Sequence, residues 1–377
     1  MNIAYIHSDK KIWTGAHYIN DLMASKLKNS GIIVNNFYPQ FALNDLPIHF
    51  KGVNNILFFY SLLEKRKQIL KNDIIQGTTY TPVAFMNFSK PVVTHFGSTT
   101  KGFLDAVPKY KTLEKETIKI LHQLKKDWVV NELHLKTRRP LRDIATIEHY
   151  AARKCTAVIA TSDIVKKNLI SAGIDKNKIV IIHNMIEDYR FEAAQHKFLE
   201  EPRLFFLWRI GEDVFTLKLK WVMRLIYIYL KFPKLKKVSI IMTYSKKLIN
   251  WLQNKIPNHQ VEANIIKDEI PQKLANCLGW ILLITSRYEG FSLSLIEGMS
   301  QWLVPICFRV WVAPEIIKNW ENGYLVDSLN EVIDIIKNLS QDNLLRKKLW
   351  ERSMETSKRF MSTAITLKLT DFYSTLV

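Results

Sequence analysis

Two carboxylates, Glu289 and Glu297, stand eight positions apart around a Gly290-Phe291-Ser292 turn. Ahead of them, Trp280-Ile-Leu-Leu-Ile284 is an apolar run that reads as a buried parallel strand. Behind them, Leu293, Leu295, Ile296 and Met299 have the spacing of a helix that packs on a sheet. Strand, turn and helix in that order put the turn where open α/β sheets bind ligands. The start of such a helix offers free N–H groups and a positive dipole end, which suit a phosphate. Glu297, in the first turns of the helix, is placed to accept hydrogen bonds from sugar hydroxyls.

The elements that position this turn repeat along the chain. Asn2-Ile-Ala-Tyr-Ile6 reads as a first strand, and Ala16 to Leu27 as a helix with Ile19, Leu22, Met23 and Leu27 on one face. Asp73-Ile-Ile75, Pro91-Val-Val-Thr94, Thr156-Ala-Val-Ile-Ala160 and Lys178-Ile-Val-Ile-Ile-His183 continue the strands, with Ser162-Asp163 as a helix cap. A polar stretch from Asp188 to Arg203 reads as a linker. A second series follows: Leu204-Phe-Phe-Leu207, Val238-Ser-Ile-Ile-Met242, Trp280 to Ile284 and Val304-Pro-Ile-Cys307. Repeated β-then-α order predicts an α/β fold of two doubly wound, Rossmann-like parallel-sheet domains.

At 377 residues the chain exceeds one ordinary core. The expected boundaries are 1–190 for the first domain, 200–353 for the second and 354–377 for a terminal helix packing back on the first. Three cysteines without CxxC spacing argue against a disulfide framework or a zinc site. The first residues lack a signal-peptide layout, and the apolar run from Trp221 to Leu230 is short and carries Arg224. The expected location is cytoplasmic. The net charge of +19 has two readings, an AT-rich genome's lysine usage or a surface that meets something anionic.

Further residues carry a resemblance. Glu289 to Glu297 is an E-x7-E pattern, preceded by Ser286 and followed by Ala313-Pro-Glu315 and Glu321-Asn-Gly-Tyr-Leu-Val326. Thr14-Gly15-Ala16, Thr94-His95-Phe-Gly97, Ala157-Val-Ile-Ala-Thr-Ser162 and His183-Asn184 precede it in order. In this set the chain resembles the retaining family 4 of the GT-B glycosyltransferases, over nearly its whole length. The resemblance implies two domains facing across a cleft, with the nucleotide-sugar donor held by the second.

It also implies roles. Arg209 would grip the donor diphosphate, with Lys218 as its basic companion and Lys220 as the alternative. Gly290, Phe291, Ser292 and Leu293 would present N–H groups to the phosphates, and Glu297 would bond the ribose. Glu289 and His95 would lie at the transferred sugar, and Gly15 would let the backbone approach the phosphates or the acceptor. Where the family prefers glycine or another small residue, Ser292, Gln301-Trp302 and Trp311-Val312 stand here. The implied reaction moves a hexose or hexosamine from a nucleotide diphosphate sugar to a glycan or lipid-linked acceptor, in bacterial surface polysaccharide or lipopolysaccharide synthesis. No cofactor and no metal are expected, since no Asp-x-Asp occupies a metal-holding position. A catalytically inactive, sugar-binding partner subunit is the alternative.

Residues 101–154 are dense in lysine and arginine, with Leu121, Leu124, Trp128 and Val129 at helical spacing. Such a segment fits peripheral contact with an anionic membrane, on the inner face of the cell membrane, or an ordinary solvated helix. No nucleic-acid module is recognisable, so nucleic acid is not an expected partner.

Overall fold

The computed structural model describes the chain outside residues 12–14, 44–49, 135–137, 192–200, 211–212, 244, 267–268 and 275–276. The side chains of Lys51, Lys111, Trp208, Arg209 and Pro271 are also outside the description. Twelve described strands form two six-stranded sheets, every pair within them parallel. Chain contacts divide the protein into two units. One comprises Met1–Leu104, Thr137–Met185 and Phe360–Val377; the other comprises Asp105–Lys136 and Ile186–Arg359.

In the first unit the strands are β1 (Asn2–Ile6), β2 (Ile33–Phe37), β3 (Ile74–Thr78), β4 (Val92–Phe96), β5 (Ala157–Ala160) and β6 (Ile179–Ile181). Their spatial order is β2-β1-β3-β4-β5-β6. The chain winds outward from β1 to β2, then returns to β1's other side, so β1 and β3 flank a switch point. One sheet face buries Ala4, Ile6, Ile75 and Val158 against Phe58 and Leu62 of the helix Lys51–Leu63. The helix Gly15–Asn29 buries Ile19, Leu22, Met23 and Leu27, the stripe its spacing predicts. The terminal helix Ser362–Ser374 packs on it and buries Ile365, Leu369 and Tyr373. Ser162 caps the helix Asp163–Ser171 by accepting from the Val165 N–H.

The second sheet holds β7 (Leu204–Arg209), β8 (Lys237–Met242), β9 (His259–Ala263), β10 (Ile281–Ile284), β11 (Val304–Phe308) and β12 (Tyr324–Val326). The order β12-β11-β10-β7-β8-β9 puts the switch point between β7 and β10. The helix Val222–Lys231 buries Val222, Met223, Leu225 and Ile226, as a core helix should.

Residues 105–136 fall within the first domain as read from the sequence, but they group with the second unit. The physical reason is the helix Lys115–Lys126, which packs on Val222–Lys231 and buries Ile120, Leu121 and Leu124. Each such leucine contributes about 1.5–3 kcal/mol by leaving water. Polar bonds fix the join: Glu114 takes a guanidinium fork from Arg224, and the Trp251 indole N–H donates to Asp127 at 2.7 Å.

Candidate functional site

Both ends of the second switch point carry predicted site residues. Arg209 closes β7; its side chain lies outside the described residues. β10 runs into Thr285, and the turn from 285 to 292 is anchored to the short helix Val214–Leu219 and the residue after it. The Thr285 hydroxyl donates to the Lys220 carbonyl at 2.9 Å, and the Arg287 N–H donates to the Leu219 carbonyl at 2.8 Å. These bonds hold Lys220 beside the turn, where its ammonium donates to the Glu289 carboxylate at 2.8 Å. Lys218 instead turns to the Leu133 carbonyl, 2.7 Å away, and is buried. Of the two lysines, the structure therefore brings Lys220 to the glutamate.

Glu289 is 7% exposed and Glu297 4% exposed, so neither is a solvated helix-end glutamate. Burial pushes the Glu289 carboxyl above its ordinary value, while the Lys220 charge and bonds from Lys220 and Ser286 pull it back. Glu297 lies 3.9 Å from the Arg190 guanidinium, which also bonds Glu187. Gln301 donates its amide to the Arg190 carbonyl. Burial alone would lower the Arg190 guanidinium, but Glu297 and Glu187 outweigh it and hold it above its ordinary value.

Between the glutamates, Gly290, Phe291 and Ser292 lead into the helix Leu293–Ser300. Ser292 occupies the N-cap position, yet its hydroxyl makes no capping bond. That hydroxyl is buried and has no hydrogen-bond partner among the described residues. The first-turn N–H groups thus receive no serine cap and keep donor capacity for an incoming acceptor. Gly298 lets this helix approach β10: a Cβ there would stand 2.5 Å from the Leu282 side chain.

Aromatic residues frame the turn. The Arg224 and Arg287 guanidiniums both lie over the Trp221 ring, and burial with the neighbouring Arg224 charge pushes Arg287 down to about 9. The Trp311 indole N–H donates to the Arg287 carbonyl at 2.5 Å, and its ring meets Tyr288 edge-on. Trp302 and Trp311 take positive φ of 63° and 41°, the left-handed region that favours glycine. Glu315 sits in the short helix Ala313–Ile316, and its backbone carbonyl accepts from Arg359. Asn322 braces its own loop through the Ile316 carbonyl, the Lys318 N–H and the Thr356 hydroxyl. The Glu-Asn-Gly stretch is thereby given a structural part.

In the first unit, His95 lies on β4, paired in register with Thr78. Burial pushes its imidazole down to about 4, Asn184 being the side chain that opposes this. Its Nε2 is buried with no hydrogen-bond partner among the described residues. A neutral ring there can accept or donate one bond to a ligand at neutral pH. Gly15 opens the helix Gly15–Asn29, while Thr14 lies outside the described residues. His183 is engaged with the Thr161 carbonyl and the Phe360 ring.

Sequence reasoning missed Arg190 and Glu187. Arg190 falls at the head of the stretch read as a linker and Glu187 just before it, and their only signal is an opposite-charge pair three residues apart. Among the described residues no group of three or more His, Cys, Asp or Glu is gathered as metal ligands would be.

Residues 242–356 match the family model for Glycosyl transferases group 1, a span that takes in β10, the turn and both glutamates. Over that span, the chain is similar to the glycosyl transferases group 1. Its two parallel sheets are those of the GT-B glycosyltransferase fold. Sucrose-phosphate synthase from Thermosynechococcus elongatus superposes with a TM-score of 0.75 at 13% identity, over 100% of this chain and 98% of that one. Anabaena HepE, solved with UDP and glucose, gives 0.69 at 16% identity over 100% of both chains.

Among curated proteins, an uncharacterized glycosyltransferase of Methanocaldococcus jannaschii is 30% identical over 118 residues, 30% of this chain and 33% of that protein. The N-acetyl-alpha-D-glucosaminyl L-malate synthase of Bacillus anthracis is 25% identical over 226 residues, 52% of this chain and 58% of that protein. The chain thus matches a third to somewhat over half of the length of these curated relatives.

Proposed function

We infer that the chain is a retaining glycosyltransferase that moves a hexose or hexosamine from a nucleoside diphosphate sugar to a glycan or lipid-linked acceptor. The observation that carries this reading is the switch-point turn, where two buried glutamates, each beside a cation, flank a helix start that its serine leaves uncapped. HepE, solved with UDP-glucose, supports a nucleoside diphosphate sugar as the donor class. A surface-polysaccharide pathway is supported by the similarity to WaaG, a glycosyltransferase involved in lipopolysaccharide biosynthesis, with a TM-score of 0.69 at 13% identity.

In this reading the bond from the anomeric carbon to the diphosphate breaks, the diphosphate leaves with the electron pair, and the acceptor hydroxyl oxygen bonds the carbon on the same face, its proton passing to the departing diphosphate oxygen. Charge building on the leaving diphosphate is met by Lys220, Arg209 and the N–H groups from Gly290 to Leu293. No metal or other cofactor is assigned. Glu297, held by Arg190, bonds the ribose hydroxyls, and Glu289 serves the transferred sugar. Trp302 and Trp311 adopt the left-handed backbone conformation that favours glycine. Retention of both glutamates, each beside a cation, favours a working enzyme over the inactive, sugar-binding subunit.

Titration calorimetry with UDP, GDP and ADP tests the donor site. One nucleotide should bind. Lys220→Ala and Glu297→Ala should each weaken it roughly 10- to 100-fold, the worth of a charge-assisted hydrogen bond. Unchanged binding in both folded variants would remove the assignment.

A further inference from the structure

Lys218 is spent away from the donor turn. Its ammonium donates to the Leu133 carbonyl at 2.7 Å and stands 6.0 Å from the centre of the Tyr110 ring. The residue is 4% exposed. Burying an ammonium is costly, and a methionine would fill the same space without that cost. Both partners belong to Asp105–Lys136, which lies between β4 and β5 in the chain but groups with the second unit. The apolar side of its helix Lys115–Lys126 is covered there.

The neighbouring Lys220 has little local structure to hold it on Glu289. The helix Val214–Leu219 has six residues, too few to persist by itself. Asp213 caps its start, accepting from the Thr216 N–H and hydroxyl, both at 2.8 Å. At its other end Trp221 takes φ of 48°, in the left-handed region, so the long helix Val222–Lys231 does not continue back through Lys220. The donor turn supplies two bonds, from Thr285 to the Lys220 carbonyl and from Arg287 to the Leu219 carbonyl. Two bonds to adjacent carbonyls leave rotation about the line between them. The Lys218 bond to a separate segment adds the third point that removes it.

We propose that Lys218 is a positioning residue: anchored on Leu133, it fixes the short helix so that the Lys220 ammonium stays on Glu289. Residues 105–136 are thereby part of the support of the donor turn. The inference rests on the transferase reading for what Lys220 does to the diphosphate, but not for how Lys220 is held.

A double-mutant cycle on Lys218 and Lys220 tests it, read by nucleotide affinity and by urea unfolding. Calorimetry uses the one of UDP, GDP and ADP that the wild type binds. Lys218→Met should weaken that nucleotide roughly tenfold, and Lys218→Arg, which keeps a charged donor, should recover most of the loss. In the Lys220→Ala background Lys218→Met should cost less than about twofold, because the group it positions is gone. Unfolding needs no ligand: Lys220→Ala should shift the midpoint clearly less in the Lys218→Met background than alone. A lysine that only packs would instead give affinity losses that multiply and midpoint shifts that add. Either of those results in folded variants overturns the proposal, as does unchanged nucleotide binding in Lys218→Met. If the wild type binds no nucleotide, the transferase reading fails, and the unfolding cycle alone decides whether Lys218 positions Lys220.

Discussion

At Glu289 two effects oppose each other: burial favours the neutral acid, and Lys220 at 2.8 Å favours the carboxylate. Removing Lys220 leaves a buried carboxylate without its cation. Lys220→Met should therefore cost about 3–5 kcal/mol at pH 8. The cost should shrink at pH 5, where Glu289 can take a proton, and urea unfolding at the two pH values reads the difference. Glu148 titrates by the same logic without a cation. It accepts the Thr100 N–H at 2.8 Å and the Thr100 hydroxyl at 2.7 Å. Burial pushes its carboxyl up to about 7 against an ordinary 4.5, the Thr100 bonds opposing. The folded state then holds a proton that the unfolded state has released, so stability falls as pH rises from about 4.5 to 7. Glu148→Gln should flatten that slope, worth up to roughly 3 kcal/mol across the window. His95 has the reverse sign. Its folded value near 4 lies below the ordinary 6.5, so its contribution is present above 6.5 and is lost as pH falls toward 4. His95→Asn should remove that acid-side loss in the same unfolding series.

Among the strands, the central ones were legible, and of the four at sheet edges only β6 was. The strand Ile281–Ile284 and its neighbours announce themselves as apolar runs because both of their faces are covered. The three strands that the sequence hides are β2, β9 and β12, and all three lie at sheet edges. Ile33-Val-Asn-Asn-Phe37 and His259-Gln-Val-Glu-Ala263 each bury a single residue, so no hydrophobic run marks them. Tyr324-Leu-Val326 is buried but only three residues long. The turn carrying both glutamates was readable for the same reason as the buried strands, since a strong strand and an apolar helix bracket it. Lys220, Arg190 and Glu187 were less readable, because their roles arise from which loops meet in space. The helix Lys115–Lys126 was legible as amphipathic, yet its pattern does not name the partner of its apolar side. That partner is the helix Val222–Lys231, so Leu121→Ala and Leu124→Ala should each destabilise the second unit by about 2–5 kcal/mol, read by thermal unfolding.

For the whole molecule, the second unit is built from two stretches of chain, with Asp105–Lys136 supplied from before it. A fragment spanning 186–359 alone would leave the covered side of Val222–Lys231 and the Arg224 guanidinium without their partners. It should unfold well below the full chain, and adding 105–136 through a linker should restore much of the difference. The central claim remains that the switch-point turn of the second sheet handles a nucleoside diphosphate sugar. The most direct measurement incubates the chain with a panel of nucleoside diphosphate sugars and follows release of the free nucleoside diphosphate by chromatography, for wild type and Lys220→Ala. The account predicts that the wild type consumes one sugar nucleotide and that Lys220→Ala does so at least about tenfold more slowly. A folded wild type that neither binds nor consumes any member of the panel would contradict it.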